Sequence, residues 1–108
     1  MTKCEDHQHP DGLAELSAEA LERAAEIFRA AGDPERLKIL ATLLGGERCV
    51  NELRGEASMS TVSQRLKVLW NAGLVSKRRA GKHIFYGLAD GHVEELVRNA
   101  LEHGEESQ

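Results

Sequence analysis

Asp90, His92, His103 and Glu106 are four side chains able to bind a metal, gathered near the C-terminus of a 108-residue chain. Val93, Leu96, Val97, Ala100 and Leu101 recur between them at helical spacing, so the segment reads as an amphipathic helix with Asp90 as its N-cap. The separation of His92 from His103 is close to three whole helical turns, which places both on one face, about 16 Å apart along the axis. One ion with ligand bonds of about 2 Å cannot bridge that gap. A single site from all four residues requires a second copy of the helix, antiparallel to the first. Asp90 and His92 of one chain would then meet His103 and Glu106 of the other, and two-fold symmetry would make the site twice. The spacing therefore predicts a homodimer together with a metal. The competing reading is a solvated polar face on a surface helix.

These residues belong to one domain with a modest core. Its four aromatics leave Leu, Val, Ile and Ala to fill that core. The first ten residues lack the apolar run of a signal peptide, and no stretch has the ~20 apolar residues of a membrane span. Cys4 and Cys49 are too few for a disulfide scaffold, so free thiols in a cytoplasmic protein are expected.

The net charge of -4 conceals a segregation. Residues 57–89 hold six basic side chains (Arg65, Lys67, Lys77, Arg78, Arg79 and Lys82) and no acid, whereas both flanks are acidic. A stretch cleared of carboxylates suits a phosphate-binding surface.

Residues 1–12 are polar and predict a disordered tail, leaving 13–108 as the folded domain. Ser17 caps a helix running to about Ala31, with Leu21, Ala24, Ala25 and Phe28 on one face, and Gly32 ends it. Asp33-Pro34 restarts a helix whose apolar stripe is Leu37, Leu40, Ala41 and Leu44. A short helix from about Val50 to Arg54 follows. The next begins at Ser60 or a near neighbour, buries Val62, Leu66 and Leu69, and stops at Gly73. Residues 74–79 and 83–88 alternate with period two around Ala80-Gly81-Lys82, which predicts a hairpin.

The order is α-α-α-α-β-β-α: mostly helical with a β-hairpin wing, as in a winged helix-turn-helix dimerised through its terminal helices. Ser60, Thr61, Ser63, Gln64, Arg65 and Lys67 lie on the outward face of the recognition helix. Gln and Arg suit adenine and guanine edges, while hydroxyls at a helix N-terminus hold phosphate. Lys77, Arg78, Arg79 and Lys82 would follow the DNA backbone or the minor groove. Double-stranded operator DNA is the expected partner.

The motifs Ala31-Gly32-Asp33-Pro34-Glu35-Arg36-Leu37-Lys38-Ile39-Leu40, Glu47-Arg48-Cys49-Val50-Asn51-Glu52-Leu53 and Ser60-Thr61-Val62-Ser63-Gln64-Arg65-Leu66-Lys67-Val68-Leu69 fall in this order. With Gly73-Leu74-Val75 and Gly81-Lys82-His83-Ile84-Phe85-Tyr86 behind them, the chain resembles the ArsR/SmtB family of metal-sensing repressors over about residues 15–106. The resemblance implies a homodimer that binds its operator as apo-protein and releases it on binding metal. It also implies a C-terminal-helix zinc site, to which Asp90, His92, His103 and Glu106 correspond one by one. Nitrogen and oxygen donors without thiolate suit zinc, with cobalt as the usual substitute.

The chain departs from the pattern in three places. Gly104 interrupts the last turn before Glu106, leaving Glu105 as an alternative ligand. Asn51 stands where thiolate-rich cadmium and lead sensors of the family carry a second Cys, so that soft site is incomplete. Residues 53–58 are two short of the family's length, which predicts a cramped first helix of the DNA-binding pair. Cys4, His7, His9, Cys49 and Glu52 could form a second metal site of the kind some relatives possess. The alternative function is a winged-helix regulator that responds to redox or to nickel, cobalt or cadmium. A zinc hydrolase is disfavoured: no His-Glu-x-x-His is present, and four protein ligands leave no position for water.

Overall fold

The computed structural model describes residues 15–106, so the expected tail over 1–12 lies outside the described residues. Helix α1 (Ala18–Ala31) starts where the Ser17 Oγ accepts the Ala20 amide at 3.0 Å, satisfying a donor that has no partner within the helix. Helix α2 (Pro34–Leu43) follows at once. The Asp33 carboxylate accepts the Arg36 amide at 3.0 Å, and Pro34 occupies the first position, where no N–H is needed. The Arg36 side chain turns back, its Nε donating to the Ala30 carbonyl at 2.6 Å and its Nη2 to the Arg29 carbonyl at 3.3 Å. One arginine thus belongs to the start of α2 and closes the end of α1, which fixes the corner between them.

Strand β1 (Arg48–Cys49), helix α3 (Val50–Leu53) and helix α4 (Met59–Asn71) lead to strands β2 (Val75–Ala80) and β3 (His83–Leu88), and helix α5 (Gly91–Glu106) completes the described chain. Helix α4 ends in a Schellman motif. Gly73 has φ +78°, its N–H donates to the Trp70 carbonyl, and the Leu74 N–H reaches back to the Leu69 carbonyl at 3.0 Å. Strands β2 and β3 pair from Val75↔Leu88 to Ala80↔His83, leaving a two-residue turn. Only its first residue, Gly81, has positive φ, the requirement of a type II′ hairpin turn.

Leu40, Val62, Leu66, Leu69 and Leu74 are fully buried at the centre, with Ile39, Leu43, Val75, Val93 and Val97 around them. Each such side chain contributes about 1.5–3 kcal/mol by leaving water. The core therefore joins α2, α4, α5 and the base of the hairpin.

The winged helix-turn-helix order is as expected, with one strand added. β1 pairs antiparallel with β3 (Arg48↔Tyr86, Cys49↔Phe85), making a three-stranded sheet of order β1-β3-β2. Two residues are too few to show alternation. Helix α4 begins at Met59, a near neighbour of Ser60 as expected, and Ser58 caps it; the Ser58 Oγ accepts the Thr61 amide at 3.1 Å. In α2, Ile39, Leu40 and Leu43 are buried in place of the expected Leu37-Leu40-Ala41-Leu44 stripe. The helix touches α1, α4, α5 and β3, so its innermost line is set by four neighbours, and Leu37 and Leu44 pack half-buried at the edges. Along α1 only Ala30 is buried, while Leu21 and Phe28 are 57% and 64% exposed. Helix α3 is a single turn with no buried residue, consistent with the shortened segment after it.

Candidate nucleic-acid interface and metal helix

Helix α4 and the hairpin present the basic surface. Ser60, Thr61, Ser63, Gln64 and Lys67 are exposed on α4, opposite the buried Val62-Leu66-Leu69 line. The Ser58 hydroxyl also donates to the Thr61 Oγ1 at 3.0 Å, so two hydroxyls are ordered at the helix start. Arg65 is half-buried and lines a cleft of about 580 Å³ with Glu35, Lys38, Glu52, Arg54 and Glu56. It therefore faces the groove between α2, α3 and α4 more than the outward face expected for it.

The four hairpin cations differ in their surroundings. The Lys77 Nζ sits 4.6 Å from the centre of the Trp70 ring, a cation–π contact that ties the base of β2 to the end of α4. Arg78 lies on the other face of the sheet, over the Phe85 ring at 5.0 Å. It donates from Nη2 to the Glu47 Oε1 at 2.7 Å and from Nε at 3.2 Å. That hydrogen bond, then the arginine's charge, holds the Glu47 carboxyl below its ordinary range, and Glu47 raises the Arg78 pKa in return. Arg79 and Lys82 stand exposed nearer the tip. Nothing local in the sequence signals Glu47, because its place beside Arg78 depends on strand β1, which periodicity did not predict.

The four C-terminal residues lie at the two ends of α5. Asp90 caps the helix through Oδ1, which accepts the Val93 amide at 3.0 Å. Its second oxygen, Oδ2, is 3.9 Å from the His92 Nδ1. Two ligands of a tetrahedral ion with bonds of about 2 Å lie about 3.3 Å apart, so the His92 ring would have to turn closer to Asp90 to share one metal with it. His103 and Glu106 line a shallow hollow with Leu96, Asn99 and Ala100. The helix continues through Gly104 to Glu106, so the glycine does not end it. Among the described residues, no group of three or more His, Cys, Asp or Glu gathers in the single chain.

For the second site, Cys49 and Glu52 are adjacent at the start of α3. The Glu52 Oε1 accepts the Cys49 amide at 2.8 Å, and that hydrogen bond is the largest cause of its lowered pKa. Glu52 thus has a structural role as a cap, and Cys49 is a half-buried free thiol. Cys4, His7 and His9 lie outside the described residues.

Residues 33–77 match the model of the bacterial regulatory protein family arsR. A transcriptional repressor SmtB homolog from Synechocystis is 38% identical over 94 residues, spanning 85% of this chain and 71% of that protein. A cadmium resistance transcriptional regulatory protein, CadC homolog, from Staphylococcus aureus is 40% identical over 85 residues, spanning 76% and 70%. The solution structure of a homodimeric winged helix-turn-helix DNA-binding domain from Mycobacterium bovis, a possible ArsR-family regulator, superposes with a TM-score of 0.80. It is 30% identical, covering 88% of this chain and 90% of that one. These relatives are regulators rather than enzymes, and no described helix is long and apolar enough to cross a membrane. From its fold, its motifs and these relatives together, the chain belongs to the ArsR/SmtB family of transcriptional regulators.

Proposed function

We propose that the protein is a zinc-responsive repressor that binds operator DNA as an apo homodimer and leaves it when metal binds. The observation that carries this reading is the division of donors along α5. Asp90 and His92 stand at its start and His103 and Glu106 at its end, and one helix cannot bring them together. A second copy running antiparallel against the same face would complete two equivalent sites. The exposed Leu21 and Phe28 of α1 supply apolar surface for that dimer, and the homodimeric state of the M. bovis relative supports it.

Zinc would supply a cross-link between the two α5 helices at these donors. Asp90 can serve both purposes, because Oδ1 caps the helix and leaves Oδ2 for the metal. His92 is almost fully solvent-exposed, so its ring has room to turn toward a partner. On the DNA side, the hydroxyls and Gln64 of α4 would read the major groove while the hairpin follows the backbone. Zinc must then favour a dimer geometry that fits the operator poorly, since only differential binding shifts an equilibrium. Candidate operators can be followed by fluorescence anisotropy with and without zinc. The reading predicts tight binding without metal and release with it; affinity unchanged by zinc would favour a regulator with another signal.

A further inference from the structure

Lys77 and Arg78 are adjacent cations that the strand points to opposite faces of the hairpin, and each already has a partner within the chain. Lys77 rests on Trp70, at the end of α4. Arg78 reaches Glu47, in the turn between α2 and β1, by crossing over β3. Gly87 leaves room for that crossing. Glu47 directly precedes Arg48, which pairs with Tyr86, so it lies beside Gly87, and a Cβ on Gly87 would sit 3.2 Å from the Glu47 Cγ. With no side chain there, the glutamate stem lies flat across the strand and delivers its carboxylate to the guanidinium. Arg79 and Lys82 differ: among the described residues, neither side chain makes a hydrogen bond or an ion pair.

We propose that the cations of the wing are of two kinds. Arg78 is a positioning residue that braces the hairpin against the α2–β1 turn, and Arg79 and Lys82 are the residues that bind phosphate. The inference rests on the DNA-binding reading above and refines it. A guanidinium already neutralised by a carboxylate displaces no DNA counterion unless it first gives up that carboxylate. If it did, Glu47 would remain as an unpaired anion beside the DNA backbone. Phosphate binding by Arg78 would thus exchange one anion for another and leave a repulsion behind. Arg79 and Lys82 meet no such competitor.

The test is a salt titration of binding to a fluorescein-labelled duplex of mixed sequence, followed by anisotropy, with circular dichroism confirming that each variant is folded. Arg79→Ala and Lys82→Ala should each make the log–log salt dependence shallower by about 0.9 for every phosphate left unneutralised. The neutral pair Glu47→Gln with Arg78→Gln, which removes the brace without changing net charge, should keep the wild-type slope and weaken binding by a similar factor at every salt concentration. Arg78→Glu should bind poorly, and adding Glu47→Arg to it should recover affinity to within about threefold of wild type, because the swapped pair restores the brace. A slope for the neutral pair as shallow as that for Arg79→Ala, or a swapped pair that binds no better than Arg78→Glu alone, would overturn the proposal. A wild-type protein that leaves the duplex unbound at every salt concentration would instead remove the DNA reading beneath it.

Discussion

Glu47 and Arg78, 31 positions apart in sequence, close to 2.7 Å across strand β3 over the bare backbone of Gly87. The pairing joins the turn after α2 to the first strand of the wing, so the frame that orients the hairpin includes a residue outside the recognition elements. Both side chains remain about half exposed, which keeps the pair's contribution to global stability small. Its effect is on where the wing points.

The pair makes that contribution pH-dependent. Arg78 lowers the Glu47 pKa in the folded protein, first by hydrogen bonding and then by charge. A depressed carboxyl contributes stability above its unfolded value and loses it as pH falls through its folded value. The difference in melting temperature between wild type and Glu47→Gln should therefore be full at neutral pH and shrink toward zero in acid. A difference that grows as pH falls would contradict the assignment.

The exposed face of α1 should carry the dimer. Phe28 is 64% exposed in the single chain, more than its size and apolarity favour. Phe28→Glu should shift apo-protein from dimer to monomer in sedimentation while leaving the helical circular dichroism intact. A Phe28→Glu protein that stays dimeric would place the interface elsewhere.

Asp90 combines a cap with a ligand, and the two can be separated. Asp90→Ala should cost about 1 kcal/mol of stability by removing the N-cap, whereas Asp90→Asn should retain most of it. Both should lose zinc affinity, because neither offers a carboxylate. Calorimetry with thermal melts checks the pair, and Asp90→Asn binding zinc like wild type would remove Asp90 from the ligand set.

Gln64 is an exposed amide on α4, able to make paired hydrogen bonds to an adenine edge. Gln64→Ala should cost about 1–3 kcal/mol of discrimination at one base pair and leave the salt dependence unchanged. Competition between operator variants measures this. Equal weakening against every sequence would mean that Gln64 touches only the backbone.

Most of the architecture was legible because its signals are local. Ser17, Asp33 and Gly73 act at the helix ends that their residue types favour, and Gly81 makes the hairpin turn. The features that escaped depend on distant pairing. Strand β1 exists only because Arg48 and Cys49 meet β3, and Glu47 acquires its place through that register. The buried line of α2 shifted from its periodic stripe because neighbours from four other elements surround the helix. Helical geometry separates the Asp90–His92 and His103–Glu106 pairs along α5, as their spacing in the sequence implied, and the proposed meeting of the two pairs would need a second chain.

That meeting between subunits is the central claim, and mixing two defective proteins tests it directly. His92→Ala and His103→Ala homodimers should each bind zinc weakly, because every site lacks a ligand. In the mixed dimer, one site combines both defects and the other combines Asp90 and His92 of one chain with His103 and Glu106 of its partner. An equimolar mixture, re-equilibrated through monomer, should therefore recover about a quarter of the wild-type zinc stoichiometry. No recovery in a mixture shown to contain heterodimer would contradict a site shared between subunits.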